Sequence, residues 1–169
     1  VRFYGKSILL LFLVWPWLAV AAPDFALPDE TGKPRHVGEF IGHGRWTVVT
    51  VWSADCPICR RDIYHMTFFH DEHTKKKDAT VLGVSIDGEA GRKKALEFID
   101  EQALNFPNLI GMPDDILKFG LRRFVGTPTY LIFSPDGKIA GGHVGGATQE
   151  QIERLIESYK LDQKVKPKS

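Results

Sequence analysis

The sequence predicts an α/β domain: a mixed central β-sheet flanked by helices, with an N-terminal β-hairpin and a central βα insert. Three observations predict it. Two β-branched, nearly unbroken apolar runs, Trp46 to Ser53 and Ala79 to Asp87, are separated by a stretch with helical spacing. That is the pattern of parallel strands buried on both faces. A third run, Thr129 to Phe133, meets the turn Ser134-Pro135-Asp136-Gly137 and returns as a strand from Lys138 to Val144, which adds an antiparallel hairpin. The chain then closes on a helix that opens with Thr148 and Gln151, a capping box.

The elements follow in order. Residues 24–45 hold the turn signal Pro28-Asp29-Glu30-Thr31-Gly32-Lys33 between short extended pieces, read as a β-hairpin. After the first core strand, a helix is expected to run to about Lys76, with Ile63, Met66 and Phe69 near helical spacing. Lys75, Lys76 and Lys77 close it as a solvated end favoured by the helix dipole. The second helix spans Glu89 to Gln102, with Ala95, Phe98 and Ile99 on one side. Phe106 to Ile110 fits a short edge strand, where Pro107 is tolerated, and Asp114 to Gly120 fits a short helix. In the last helix Ile152, Leu155, Ile156 and Tyr159 fall at i, i+3, i+4 and i+7. Residues 162–169 are polar and read as a flexible tail. With no repeat and no internal linker, residues 23–161 form one domain.

The 169 residues, 43% hydrophobic and 25% charged, suffice for a core that needs no disulfide staples. A formal charge of +1 gives no bulk electrostatic reason for nucleic-acid binding. Residues 1–22 differ from the rest. Arg2 and Lys6 make a basic start, Ser7 to Val20 is apolar apart from Pro16, and Ala19-Val20-Ala21 has the small-x-small form of a cleavage site. This is the layout of a secretory signal peptide, and export to a periplasmic or other extracytoplasmic space is the expectation. The rival is an uncleaved membrane anchor, disfavoured because the apolar stretch is shorter than the ~20 residues of a spanning helix.

Only two cysteines exist, Cys56 and Cys59. A bridge between them closes too small a loop to add much stability, so the pair reads as chemical. Cys56-Pro57-Ile58-Cys59 sits where a buried strand hands over to a helix. The unpaired N–H groups of a helix start stabilise a thiolate, the nucleophilic form of cysteine. One helical turn on, Cys59 can reach the same sulfur, and Pro57 suits the first turn, where its missing N–H costs nothing. Zinc sites also use this spacing, but a structural zinc needs four ligands and there is no second cysteine pair, so histidines would have to supply the rest. Haem attachment needs His after the second cysteine, where Arg60 stands. No metal and no cofactor beyond a redox-active Cys56–Cys59 disulfide are assigned. His70 and His73 flank Asp71 and Glu72 and read as an exposed polar turn rather than a metal patch.

The segment Trp52-Ser53-Ala54-Asp55-Cys56-Pro57-Ile58-Cys59-Arg60-Arg61-Asp62 resembles the active-site segment of thioredoxin-like proteins, most closely the TlpA-like branch of exported thiol–disulfide oxidoreductases. Asp24-Phe25 to Lys33, Asn105-Phe106-Pro107, Gly126-Thr127-Pro128-Thr129 and His143-Val144-Gly145-Gly146 resemble further segments of that branch, over residues 23–159. The resemblance implies a thioredoxin fold and a cis Pro128 lying against Cys56, with the Thr127 backbone free to pair with an extended substrate. It also places Trp52 and Pro57 at the substrate surface. Thr50 stands where thioredoxins proper carry a buried acid. Asp62 matches an acid that could relay protons to Cys59, against the alternative of a surface acid in a first helical turn. The charge of Asp55 disfavours a thiolate next to it, while Arg60 and Arg61 act in the opposite sense.

The expected activity is protein-disulfide reduction on client proteins of the cytochrome c or copper-site maturation type, with a membrane dithiol carrier as electron donor. Two alternatives stay open: a disulfide oxidase running the same chemistry backwards, and a non-enzymatic Cu(I) chaperone. A histidine near both sulfurs would favour the chaperone.

Overall fold

A computed structural model describes residues 22–165; the segment read as a signal peptide lies almost wholly outside them. The hairpin forms as β1 (Ala26–Pro28) and β2 (Pro34–His36). Its turn is built by Asp29, whose carboxylate accepts from the Thr31 N–H at 2.8 Å and the Lys33 N–H at 3.0 Å. The five-stranded sheet consists of β3 (Trp46–Trp52), β4 (Ala79–Ser85), β5 (Asn108–Ile110), β6 (Thr129–Phe133) and β7 (Ile139–Val144), in the order β5-β4-β3-β6-β7. β3, β4 and β5 are parallel, while β6 and β7 are antiparallel to their neighbours. This is the mixed sheet expected from the order of elements.

Every residue of β3, β4 and β6 is buried, as continuous apolar runs require of strands covered on both faces. Alternation then sorts the side chains. Val48, Trp52, Val81, Tyr130 and Ile132 enter one core, with Met66, Phe69, Phe98, Ile152 and Ile156 from the helices. Val49, Val51, Leu82, Val84, Leu131 and Phe133 enter the other, with Leu27, Val37, Ile116 and Phe119. The two faces are therefore covered unequally. The first carries α1 (Pro57–Asp62), α2 (Tyr64–Lys76), α3 (Gly88–Glu101) and α4 (Gln149–Val165). The second is closed by the hairpin and the 3-10 turns at 37–39 and 113–119. Arg92 of α3 clips the hairpin to the domain by donating to the carbonyls of Asp29 (3.2 Å) and Glu30 (2.5 Å).

The main departures from expectation lie in three helices. The helix after the cysteine pair is interrupted at Ile63, where the Met66 N–H bonds the Ile63 carbonyl (2.9 Å), an i to i+3 contact. Ile63, Met66 and Phe69 are all buried and three apart, and a locally tightened turn keeps such residues on one line. The short helix expected at Asp114 to Gly120 forms as a 3-10 helix over Pro113–Phe119. The last helix continues past Leu161 to Val165, into part of the segment read as a flexible tail. Its capping box is present: the Thr148 N–H donates to Gln151 Oε1 at 2.8 Å and the Gln151 N–H to Thr148 Oγ1 at 3.4 Å.

Candidate active site

β3 runs out of the core at Trp52 into a tight turn, in which the Cys56 N–H donates to the Ser53 carbonyl at 3.1 Å. Pro57 then opens α1, and Cys56 is its N-cap. The Cys59 N–H donates to Cys56 Sγ at 3.0 Å, the bond that an N-cap makes with a first-turn amide. The two cysteines are joined as a disulfide with their Cα atoms 5.2 Å apart. Their environments are unequal: Cys56 is half-buried, whereas Cys59 is 1% exposed. Of the two sulfurs, Cys56 is the one that an incoming group can reach.

The Thr127–Pro128 peptide bond is cis, as the resemblance implies. It brings the Thr127 carbonyl to 3.5 Å from Cys56 Sγ. Gly126 takes φ +150°, which a side chain disfavours. The loop is braced by Thr129 Oγ1 donating to the Gly126 carbonyl (2.6 Å) and by the Gly145 N–H donating to the Pro128 carbonyl (2.9 Å). The rim of Cys56 thus has three parts: Pro57 and Ile58, Thr127 and Pro128, and the loop Val144–Gly146. Pro57 and Ile58 are exposed on this rim, and Thr127 is half-buried.

The charges around the motif are each matched within the fold. Asp55 pairs with Lys94 at 3.0 Å, Arg60 with Glu101 at 2.5 Å, and Arg61 with Asp62 through two bonds of 2.6 and 2.7 Å. Arg60 also lies over the Phe98 ring. The opposing effects of Asp55 and the two arginines are therefore muted. What remains at the sulfur is the amide of Cys59 at the start of the helix.

Two residues expected at the site have other places. Trp52 is fully buried and cannot touch a substrate. It stacks on Phe98 with ring centroids 4.7 Å apart and donates Nε1–H to Asn108 Oδ1 at 3.2 Å. Gly83 in mid-β4 leaves room for that amide, since a Cβ there would overlap Asn108 Oδ1. Asp62 is hydrogen-bonded to Arg61, not to either sulfur, and the guanidinium holds its carboxyl below the usual range. It lies against Gly146, where a Cβ would meet Asp62 Oδ2. His70 and His73 do not form an exposed turn. His70 Nδ1 accepts the Val81 N–H at 3.2 Å, and His73 bridges Asp78 (2.8 Å) and Glu153 (3.2 Å), so both tie α2 to its neighbours. Among the described residues the one group of three side chains with metal-ligand spacing is Glu72, His73 and Glu153, which includes neither cysteine.

Sequence reasoning missed Asp87. Its carboxylate accepts from Ser53 Oγ (2.6 Å), the Ala54 N–H (3.0 Å) and Ser85 Oγ (2.6 Å), pinning the turn that presents Cys56. The available signal was Ser85-Ile86-Asp87, a serine and an acid just past a buried strand that runs beside the motif strand.

A family model described as the AhpC/TSA family matches residues 18–141. The chain belongs to the AhpC/TSA family. Curated relatives of this family member include thiol-disulfide oxidoreductase ResA of Halalkalibacterium halodurans, 26% identical over 140 residues, covering 82% of this chain and 75% of the relative. ResA of Geobacillus kaustophilus is 29% identical over 140 residues, 82% of this chain and 76% of its own. Among solved structures, a thioredoxin-family thiol:disulfide interchange protein from Chlorobium tepidum superposes with a TM-score of 0.68 at 20% identity, covering 82% of this chain and 94% of that one. StoA from Bacillus subtilis gives 0.62 at 21% identity, with 82% and 98% covered. These superpositions establish the thioredoxin fold that the sequence segments implied.

Proposed function

We propose that this thiol–disulfide oxidoreductase acts as a reductase on disulfide-bearing client proteins outside the cytoplasm. One arrangement carries the reading: Cys56 Sγ at a helix N-cap, 3.0 Å from the Cys59 amide and 3.5 Å from the Thr127 carbonyl. In the dithiol state the Cys56 thiolate attacks one sulfur of a client disulfide, and the other client sulfur leaves as a thiolate. Cys59 loses its proton and attacks Cys56 Sγ, so the client leaves with both sulfurs reduced and the pair is left as a disulfide. Thr127 offers backbone beside the reacting sulfur, where an extended client segment can lie as an added strand.

The direction rests on charge. A strong oxidase is one whose reduced form is specially stabilised. Here Arg60 and Arg61, the cations of the motif's own helix, are committed to Glu101 and Asp62, so the thiolate has mainly amide hydrogens to rely on. This favours a couple on the reducing side. The signal-like residues 1–22 support an extracytoplasmic site of action, where a membrane dithiol carrier would restore the dithiol. No helix among the described residues is long and apolar enough to cross a membrane. Clients whose metal-binding cysteines must be reduced before loading, as in cytochrome c or copper-site maturation, fit this chemistry.

The test is the reduction potential of the Cys56–Cys59 couple against glutathione, together with trapping by Cys59→Ser. A value near the thioredoxin level of about −270 mV, with mixed disulfides through Cys56, is expected. A value near the DsbA level of about −120 mV would make the protein an oxidase.

A further inference from the structure

The ion pairs that neutralise the motif have no counterpart in the segment leading to the cis-proline. Leu121-Arg122-Arg123-Phe124-Val125-Gly126 carries two adjacent guanidinium groups, both exposed. Among the described residues neither arginine has an ion pair or a side-chain hydrogen bond, while the arginines of the motif's own helix, Arg60 and Arg61, are paired. Leu121 and Phe124 pack down against the second core and fix the segment in place. Val125 is turned outward and is 66% exposed, and Val144 on the facing strand is 54% exposed. Between them runs an apolar groove of about 330 Å³, lined by Leu121, Arg123, Phe124, Val125, Thr129 and Val144. Val125 and Thr129 stand on either side of Thr127 and Pro128, so the groove begins where a client backbone would leave Cys56. It follows β7, the edge strand of the sheet.

We propose that residues 121–125 are a specificity surface that selects an extended client segment combining an apolar side chain with acidic neighbours. The proposal rests on the oxidoreductase reading and adds the chemistry of the substrate. The apolar side chain would fill the groove between Val125 and Val144. The acidic groups would meet Arg122 and Arg123, whose planar forks bind carboxylates in pairs of hydrogen bonds. Unpaired surface charge of one sign raises the encounter rate of oppositely charged partners and disfavours like-charged ones. A neutralised motif beside a cationic approach separates the two tasks. The sulfur chemistry is left unbiased by local charge, and the approach does the selecting.

The test uses three peptides that share one intramolecular disulfide and one leucine and differ only in flanks of Glu-Glu, Gln-Gln or Lys-Lys. Pre-reduced, reductant-free protein is mixed with each in a single turnover. Two electrons pass from the Cys56–Cys59 dithiol to the peptide disulfide, giving protein disulfide and peptide dithiol, read by acid quench and mass spectrometry. We expect the Glu peptide to react at least ~10-fold faster than the Lys peptide at low salt. The gap should close at about 1 M salt, where the Debye length is ~3 Å. Replacing both arginines (Arg122→Gln with Arg123→Gln) should erase the preference, and Arg122→Glu with Arg123→Glu should invert it. Inversion cannot arise from damage to the fold. Equal rates for all three peptides, or a Glu preference that survives charge reversal, would overturn the specificity surface and leave the enzyme intact. Failure to reduce any peptide or the neutral 2-hydroxyethyl disulfide would overturn the oxidoreductase reading, and the surface with it.

Discussion

The Asp87 carboxylate, at the end of β4, holds the Ala54 N–H at 3.0 Å, two residues before Cys56. The same carboxylate takes two serine hydroxyls, so one side chain welds the outgoing ends of two neighbouring parallel strands. Asp87→Ala removes three acceptor contacts to a charged group and should cost ~2–4 kcal/mol in chemical denaturation. Asp87→Asn keeps one carbonyl acceptor and should lose less. Exchange with a small disulfide should slow in the same order. An alanine variant as stable and as fast as wild type would remove Asp87 from the site.

Arg61 and Asp62 are sequence neighbours that form a two-pronged ion pair. The pair, more than the charge of His65, lowers the Asp62 carboxyl. Arg61→Gln should therefore bring the Asp62 titration back toward the ordinary carboxylate range, as read from its side-chain carbon by NMR. Arg61 is largely exposed, so water screens the pair and the stability change at neutral pH should be under ~1 kcal/mol. An unchanged Asp62 midpoint would contradict the assigned cause.

His70 is pushed below its usual value by burial, and its neutral Nδ1 accepts the Val81 N–H at 3.2 Å. The unfolded chain thus takes up this proton more readily than the folded one. Stability is held above the ordinary histidine value of about 6.5 and falls as pH drops below it through the folded value. His70→Asn, which keeps an acceptor and removes the titration, should flatten the pH dependence of the urea midpoint between about pH 5 and 7. An equally steep dependence in the variant would assign the effect to another group.

Thr50 lies fully buried in mid-β3, and among the described residues its hydroxyl has no hydrogen-bond partner. A buried unpaired hydroxyl is unfavourable, and valine has nearly the same shape. Thr50→Val should raise stability by roughly 1 kcal/mol with the exchange rate unchanged. A destabilised variant would mean that the hydroxyl has a partner in solution.

The strands were legible because burial on both faces writes itself as runs without charge and rich in β-branched residues, as in Thr47 to Val51 and Thr80 to Val84. The cysteine pair was legible from its place between a buried strand and a helix, and the cis Pro128 through the resemblance of Gly126-Thr127-Pro128-Thr129 to the TlpA-like segment. Trp52 was misplaced because nearness in sequence to Cys56 says nothing of facing. Strand parity turns its indole inward toward Phe98 and Asn108, far along the chain. Asp87 was missed for the same reason: its partners Ser53 and Ala54 are over thirty positions away and meet it only through the parallel pairing of β3 with β4. His73 looked solvated because its partners Asp78 and Glu153 come from a loop and from the last helix.

The interruption at Ile63 has a mechanical meaning. Both sulfurs sit at the start of a helix of six residues, Cys56 as its cap and Cys59 in its first turn, coupled to the thirteen-residue rod behind it by one tightened turn. So short a lever transmits little torque, and making or breaking the sulfur–sulfur bond can be taken up before the rod begins. The oxidised and reduced protein are then expected to share one chassis, which equal amide exchange along the longer helix in the two states would show. A partner that tells the two states apart is then expected to do so by touching the cysteines' own rim.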